Sequence, residues 1–279
     1  MPIFSFMRLS LFFLCIICLF SGRLEAQQSV EVNGKKQYYK NKGTGEPAVV
    51  LVSGLGPTMD DFFDIQNAIS NTTQVLCYDR AGIGNSQPFN NERDLENISM
   101  ELKILLDKVG LSKPIVLVGH SRGALIVRYF VNKYPERACG MVLIDPAIPE
   151  LKWKKRELRT DKEKAEYDAY YDSFAKDSSK YSQTIRSEFV QFFKGDSISL
   201  SNKNFPANIP IIIIASNKTS EDKYSKAEMK IKTELLQGYL KTAPQIKLIF
   251  TDKTGHFIHE DEPELIIREI YSMLKSLKK

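Results

Sequence analysis

Cysteine and histidine are scarce in this chain of 279 residues, and their scarcity excludes several kinds of site. Four cysteines and three histidines are present, without the paired spacing that metal-binding modules require. The glycine-rich stretches at residues 54–56 and 82–84 do not extend into dinucleotide-binding or phosphate-binding motifs. We therefore expect no metal ion and no organic cofactor.

The excess of basic over acidic residues is also small. The 39 basic and 34 acidic residues leave a net charge of +5, spread over the whole chain. Dedicated nucleic-acid binding needs a concentrated basic surface, so we expect none. Apolar residues make up 43% and charged residues 26% of the chain, which is typical of a globular protein with a buried core.

Only one long apolar run is present, and it lies near the N-terminus. Residues 11–20 are all apolar, follow Arg8 and precede a polar stretch that ends in Ala26. A bilayer span takes about 20 residues, whereas this pattern is typical of a cleaved secretory signal peptide. We predict a signal peptide at residues 1–26 and an exported, periplasmic or secreted chain without stable membrane association. An uncleaved signal that anchors the chain in a membrane is the alternative.

Two of the cysteines would leave with that signal. The other two, Cys77 and Cys139, lie in or beside apolar runs that are predicted to form strands. An exported protein could oxidise them to a disulfide. We predict instead two free thiols that pack as small buried apolar side chains.

Short apolar runs alternate with helical patterns through most of the chain. After a hairpin predicted at residues 29–40, the runs cover residues 48–52, 75–78, 115–118, 141–144, 209–215 and 246–250. Helical stripes occupy residues 95–109, 123–134 and 264–277. Runs that are apolar on both faces are typical of a parallel sheet covered by helices. We predict one α/β domain over residues 27–279, with a mostly parallel sheet and helices on both faces.

One segment interrupts this alternation. Residues 150–206 contain no strand-like run, mix charges of both signs and carry aromatic residues at helical spacing. We predict a helical cap inserted above the carboxyl edge of the sheet.

A serine lies where a predicted strand meets a predicted helix. Ser121 occupies the centre of a Gly-x-Ser-x-Gly motif flanked by Gly119 and Gly123. A sharp, strained turn at that point would raise the hydroxyl above the sheet edge and put the next amide at a helix N-terminus. The pattern predicts that Ser121 is a nucleophile.

A serine nucleophile needs a base, and the chain offers three histidines. His120 adjoins the serine and would point away from it. His256 lies in the loop after the last strand, where it could reach the serine hydroxyl. His259 is predicted to lie at the surface or to cap the last helix. We predict that His256 is the base.

With these motifs in order, the sequence resembles the α/β-hydrolase superfamily, in particular its capped, esterase-like members with a serine nucleophile. Two further segments carry the resemblance: Val-Ser-Gly-Leu-Gly at residues 52–56 and Tyr-Asp-Arg-Ala-Gly-Ile-Gly-Asn-Ser at residues 78–86. It implies an eight-stranded sheet and a chain order of serine, acid and histidine. It also implies an oxyanion hole formed by the backbone amides of Leu55 and Arg122. Asp79 and Arg80 would form a structural ion pair or organise their loop.

The acid that would complete the set of serine, acid and histidine has two main candidate positions. The commonest family position follows the seventh strand, where Glu221 and Asp222 are the first carboxylates. Asp145 instead ends the sixth strand at the same edge as Ser121, although it could simply accept hydrogen bonds from loop amides. We predict Asp145, with Asp222 second and Glu221 third.

These residues together predict acyl transfer to water, most simply the hydrolysis of a small carboxylic ester. Amide, peptide or C–C bond cleavage and a non-catalytic small-ligand binder on the same fold are the alternatives. Related enzymes that open epoxides use aspartate at the nucleophile position, so Ser121 disfavours that chemistry. Neither the substrate nor the oligomeric state is indicated.

If residues 1–26 are a signal peptide, the exported protein should begin at or near Gln27, because the small Ala26 suits the cleavage site. N-terminal sequencing of the secreted or periplasmic form measures this directly. Intact Met1 in a membrane fraction would establish the anchored alternative.

Overall fold

The computed structural model describes residues 27–177, 180–196 and 204–278. The predicted signal peptide lies outside these described residues, so export stays a prediction. Among the helices of the described ranges, none has the length and apolar character that crossing a membrane requires.

Eight strands in the described part of the chain form a single sheet. They are β1 (Gln28–Val32), β2 (Lys35–Lys42), β3 (Val49–Val52), β4 (Val75–Tyr78), β5 (Ile115–His120), β6 (Ala138–Ile144), β7 (Ile211–Ser216) and β8 (Ile246–Thr251). Their order across the sheet is β1-β2-β4-β3-β5-β6-β7-β8. The pairs β1-β2 and β2-β4 are antiparallel, and the others are parallel. The predicted fold class is confirmed.

Helices connect these strands. They are α1 (Phe63–Ile69), α2 (Leu95–Lys108), α3 (Arg122–Lys133), α4 (Pro149–Glu157), α5 (Asp161–Lys176), α6 (Gln183–Val190), α7 (Ser225–Thr242), α8 (Ile258–Asp261) and α9 (Pro263–Leu277). Short 3₁₀ turns at Met59–Phe62 and Pro135–Arg137 and a π-helical turn at Gln191–Gly195 complete the described helical structure.

The strand side chains alternate between two apolar clusters, one on each face of the sheet. In β3, Val50 and Val52 contribute to the first cluster, and Val49 and Leu51 contribute to the second. Helices α2, α3 and α7 cover the first cluster, and α1 and α9 cover the second. Because both faces are covered, the central strands carry apolar side chains on both faces.

Two helices, α1 and α7, have no clear signal in the sequence. Helix α7 has 18 residues, but Leu236 is its one fully buried apolar side chain. Leu235, Tyr239 and Leu240 also pack on the first cluster but are only partly buried, and the charged residues that alternate through the first half of the helix obscure its apolar stripe in the sequence.

Between β6 and β7 the described chain contains only helices and turns. We call residues 149–196 the helical insertion. Its helices α4 and α5 bury no side chain, and its aromatic residues pack on one another, as in the stacked pair Phe174 and Phe189. Apolar burial on the sheet therefore contributes little to docking this insertion.

The two cysteines of the described chain are free thiols in non-adjacent strands. Cys77 in β4 is buried, and burial raises its pKa to about 12. Cys139 in β6 is only partly buried, which differs from the expectation of two buried side chains.

The start of α3 packs unusually closely on the sheet. A Cβ atom added to Gly119 would lie 2.6 Å from the backbone carbon of Gly123. A Cβ atom on Gly123 would overlap the carbonyl oxygen of Val52 and lie 2.6 Å from that of Ser53. These backbone atoms cannot swing aside as the end of a side chain can, so both positions require glycine.

We therefore expect Gly123→Ala to lower the free energy of unfolding by about 1–3 kcal/mol or more through overpacking. Gly238→Ala, within α7, is the matched control, because an added Cβ meets nothing within 4 Å. That control should stabilise the fold by about 0.4–1 kcal/mol, as Ala restricts the unfolded chain. Urea unfolding measures the change in unfolding free energy in each variant. Equal changes in the two variants would contradict the close packing of Gly123 on the carbonyl oxygens of Val52 and Ser53.

Candidate active site

Ser121 joins β5 to α3 in a conformation that non-glycine residues seldom adopt, with φ 52° and ψ −119°. Its amide donates to the Ile144 carbonyl oxygen at 3.0 Å, and its own carbonyl accepts from the Ala147 amide at 3.1 Å. These bonds hold the serine against the end of β6. The turn predicted from the motif is present, and the residue after Ser121 begins a helix.

Asp145 and His256 come together at the same edge. Asp145 Oδ2 lies 2.6 Å from His256 Nδ1. The carboxylate is buried, whereas the imidazole is 45% exposed. Asp145 also has a left-handed backbone, with φ 36°, directly after β6. The preferred acid and the preferred base are thus in direct contact.

The other oxygen of Asp145 is held by two donors. Oδ1 accepts from the Ser216 amide at 2.9 Å and from Lys232 Nζ at 2.6 Å. Burial favours the neutral acid, but the hydrogen bond to His256 and the charge of Lys232 outweigh it and hold the Asp145 pKa below its usual range. The carboxylate is therefore ionised at neutral pH.

Lys232 is a site residue that sequence reasoning missed. It lies on α7, and it also donates to the Ser216 carbonyl oxygen at 2.9 Å. No motif marks a lysine at this position, and α7 itself has a weak signal. Only the packing of α7 beside β7 reveals the contact.

Asp222, the alternative acid, lies elsewhere. It is exposed just before α7, and its Oδ1 accepts from the Tyr224 amide at 2.8 Å. That bond is a local turn contact of the kind that aspartate often makes before a helix. Glu221, the third choice, is also exposed.

His120 connects the serine turn to the loop that carries His256. Its Nε2 lies 3.0 Å from the His256 carbonyl oxygen, and the two ring centroids are 4.6 Å apart. Burial, with help from the other two histidines, lowers the His120 pKa to about 3. A neutral His120, the residue before Ser121, thus contacts the backbone of His256.

The expectation for His259 is wrong. His259 lies neither at the surface nor at a helix cap; it is buried, with Nε2 3.0 Å from Asp61 Oδ2. Helix α8 turns the side chain inward, where its ring packs on Phe62 at 5.1 Å between centroids. A short helix after the His256 loop has no apolar periodicity that would predict this turn.

Asp61, His120 and His259 form one group of possible metal ligands in the part of the chain described. One ligand atom of each lies within 4.8 Å of the others. Spacing along the sequence could not identify this group, because three distant segments contribute it: the 3₁₀ turn Met59–Phe62, the end of β5 and helix α8. The close His259–Asp61 contact is also that of an ordinary histidine–carboxylate pair, so the absence of a metal stays a prediction.

The expected oxyanion donors lie at two places, Leu55 in the loop after β3, which Arg80 holds, and Arg122 at the start of α3. Arg80 Nη1 donates to the Ser53 carbonyl at 2.8 Å, and Nη2 donates to the Gly54 carbonyl at 2.6 Å. Leu55, whose amide is one of the expected donors, follows Gly54 directly in the chain. Arg122 is the first residue of α3, where a backbone N–H has no partner within the helix.

The predicted pairing of Asp79 with Arg80 is wrong, but both organise loops. Arg80 pairs with Glu188 of the helical insertion, with both carboxylate oxygens 3.0 Å from its nitrogens. Asp79 Oδ1 accepts from the Met59 amide at 2.8 Å. Glu188 is far away in the sequence, so only the fold could reveal it as the partner.

Comparisons with known proteins agree with this architecture. Residues 47–228 match the alpha/beta hydrolase fold family. The uncharacterized protein YqjL of Bacillus subtilis is 26% identical over 243 residues, which cover 83% of this chain and 85% of YqjL. Two further relatives match over 38% and 32% of their own lengths, so the chain spans about a third of those proteins.

Solved structures share the fold at low sequence identity. An epoxide hydrolase from Bacillus megaterium has a TM-score of 0.70 at 18% identity, over 89% of this chain and 100% of that one. A thermophilic esterase from Thermogutta terrifontis has a TM-score of 0.61 at 20% identity, over 91% and 100%. With the family match over residues 47–228, the chain belongs to the α/β-hydrolase fold family.

Proposed function

We propose that this chain is a serine hydrolase that cleaves small carboxylic esters through an acyl-enzyme. Ser121 is the nucleophile, His256 the general base and Asp145 the acid that orients it. The observation that carries the proposal is the 2.6 Å contact between Asp145 and His256, next to a strained serine at the end of β5.

The acid–base chemistry follows from that contact. With Nδ1 directed at Asp145, the imidazole presents Nε2 as the atom that takes the Ser121 proton and later delivers it to the leaving alcohol. The imidazolium that forms in between is stabilised by an ionised carboxylate 2.6 Å away. Lys232 and the Ser216 amide keep that carboxylate charged and fixed in direction.

The oxyanion of the tetrahedral intermediate is bound by the amides of Leu55 and Arg122. The Arg122 amide lies at the N-terminus of α3, where the helix dipole favours developing negative charge. Fixed amides need no reorganisation as charge develops, which is why such donors lower the barrier to acyl transfer.

An ester is favoured over an epoxide by the identity of the nucleophile. Epoxide-opening relatives use aspartate where this chain has Ser121, and a serine forms an acyl-enzyme only with a carbonyl substrate. Structural likeness to an epoxide hydrolase below 25% identity reflects the fold, not the reaction. Amide, peptide or C–C bond hydrolysis would use the same residues and differ in the leaving group.

A fluorophosphonate probe should label Ser121, because phosphonylation requires a serine that a base activates. Labelling should vanish in Ser121→Ala and fall strongly in His256→Ala. Mass spectrometry of the labelled peptide locates the adduct. Folded wild-type protein that takes up no label would favour a non-catalytic small-ligand binder instead.

Asp145→Asn should lower kcat for an activated ester by roughly 10²–10⁴-fold, because the amide favours the wrong imidazole tautomer. Asp222→Asn, an exposed carboxylate changed in the same way, should leave kcat within about two-fold, since exposed substitutions seldom disturb the fold. Thermal unfolding shows whether either variant has lost structure. If Asp222→Asn abolished turnover while Asp145→Asn stayed active, Asp222 and not Asp145 would be the acid that orients His256.

A further inference from the structure

We propose that Glu188 in the helical insertion is a positioning residue that orients both amides of the oxyanion hole. This inference rests on the proposed function and adds a residue outside the Ser121, His256 and Asp145 set. Glu188 acts through the guanidinium groups of Arg80 and Arg122 and does not touch the reacting atoms.

Helix α6 docks on the core through polar groups. Its buried residues are Thr184 and Glu188. Thr184 packs on Gly82 so closely that a Cβ there would overlap its side chain, and Ser187 Oγ accepts from the Arg93 amide at 3.1 Å. A helix that buries polar groups in place of apolar ones is held by specific contacts, and Glu188 makes the strongest of them.

Glu188 contacts two arginines at once. Its two oxygens accept from Arg80 Nε and Nη2, both at 3.0 Å, and Oε2 also lies 3.1 Å from Arg122 Nη1. Both arginines are buried, with exposed fractions of 2% or less. Burial would raise the Glu188 pKa, but the two arginine charges outweigh it and lower the pKa to about 2. The group is a carboxylate at every physiological pH.

Through Arg80, Glu188 fixes the direction of the Leu55 amide. The Gly54 carbonyl and the Leu55 N–H belong to one planar peptide unit and point in opposite directions. Arg80 Nη2 donates to that carbonyl at 2.6 Å and so sets where the N–H points. A cationic donor on the carbonyl also polarises the unit, which strengthens the N–H as a donor.

Through Arg122, Glu188 acts on the second donor. The Arg122 side chain is held on several sides: Nε donates to Asp196 Oδ2 at 2.8 Å, Nη2 donates to the Arg93 carbonyl at 2.7 Å, and Nη1 contacts Glu188. Its own backbone amide is the proposed oxyanion donor. Fixing the side chain therefore fixes the first residue of α3.

One carboxylate of the insertion thus contacts the supports of both donors, which come from separate loops of the core. The oxyanion hole is complete only when α6 is docked. The structure provides a comparison residue in Glu269 of α9, whose carboxylate oxygens accept from Lys247 Nζ at 2.6 Å and from Arg268 Nε at 3.3 Å. Glu269 is also buried, and these partners lie on β8 and α9, which supply none of the supports of the oxyanion amides.

The test compares Glu188→Gln with Glu269→Gln in the full chain. Each variant loses one buried carboxylate beside an arginine, so their losses in unfolding temperature should be similar. Glu188→Gln should lower kcat for a p-nitrophenyl ester by about 10–100-fold, less than the roughly 10²–10³-fold cost of deleting an oxyanion donor outright. The KM should stay within about two-fold, because the contact matters in the transition state alone.

Inhibition by an aryl boronic acid supplies a second measurement. The boronic acid forms a tetrahedral anionic adduct with the serine, so its Ki reports on the oxyanion hole directly. The Ki should rise in Glu188→Gln by a factor similar to the loss in kcat, and Glu269→Gln should change neither. If Glu188 only stabilises the fold, both variants should be less stable than the wild type, and kcat, KM and Ki should stay at wild-type values in both.

Unchanged kcat and Ki in a folded Glu188→Gln would overturn the inference while the proposed function stands. If Glu188→Gln does not fold, Glu188→Asp replaces it, because the charge stays and only the reach to the two arginines is lost. Wild-type kcat and Ki in Glu188→Asp would equally overturn the inference. Wild-type protein that neither hydrolyses the ester nor reacts with the fluorophosphonate would overturn the proposed function, and the inference with it.

Discussion

The left-handed turn at Ser121 is the constraint on which the arrangement of the site depends. A residue with φ 52° costs about 1–3 kcal/mol unless its surroundings fix it. Here the fully buried strand β5 leads into the turn, and a hydrogen bond from the serine amide to β6 holds it. Because the turn is this tight, the serine and the first amide of α3 both lie at the carboxyl edge of the sheet, beside Asp145.

Much of this could be predicted from the sequence, because the central parallel strands are runs of apolar residues and the serine motif lies between a strand and a helix. The same reasoning selected Asp145, which follows β6 directly, and His256, which lies in the loop after β8. Lys232, Glu188 and the buried position of His259 could not be predicted. Each depends on a contact between distant segments, and no motif in the sequence specifies which charged residues of α7 and of the helical insertion reach the site.

The buried charges explain how the helical insertion can dock with few apolar contacts, such as those of Leu151 and Phe192 with the core. Arg80 and Arg122 are each paired with Glu188, and Arg122 is also paired with Asp196. Buried ion pairs contribute little net stability, since the cost of removing charges from water offsets their attraction. Their directional bonds nonetheless specify one position for α6, which apolar contacts would define less sharply.

The two halves of the proposed chemistry are thus supported by different parts of the chain. Helix α7 supplies Lys232 to Asp145, and so supports the acid and base. The insertion supplies Glu188 to Arg80 and Arg122, and so supports the oxyanion amides. Because these supports share no residue, substitutions in α7 and in α6 should be close to additive in their effect on the barrier. Motion of the insertion would then alter transition-state binding while the Asp145–His256 pair stays intact.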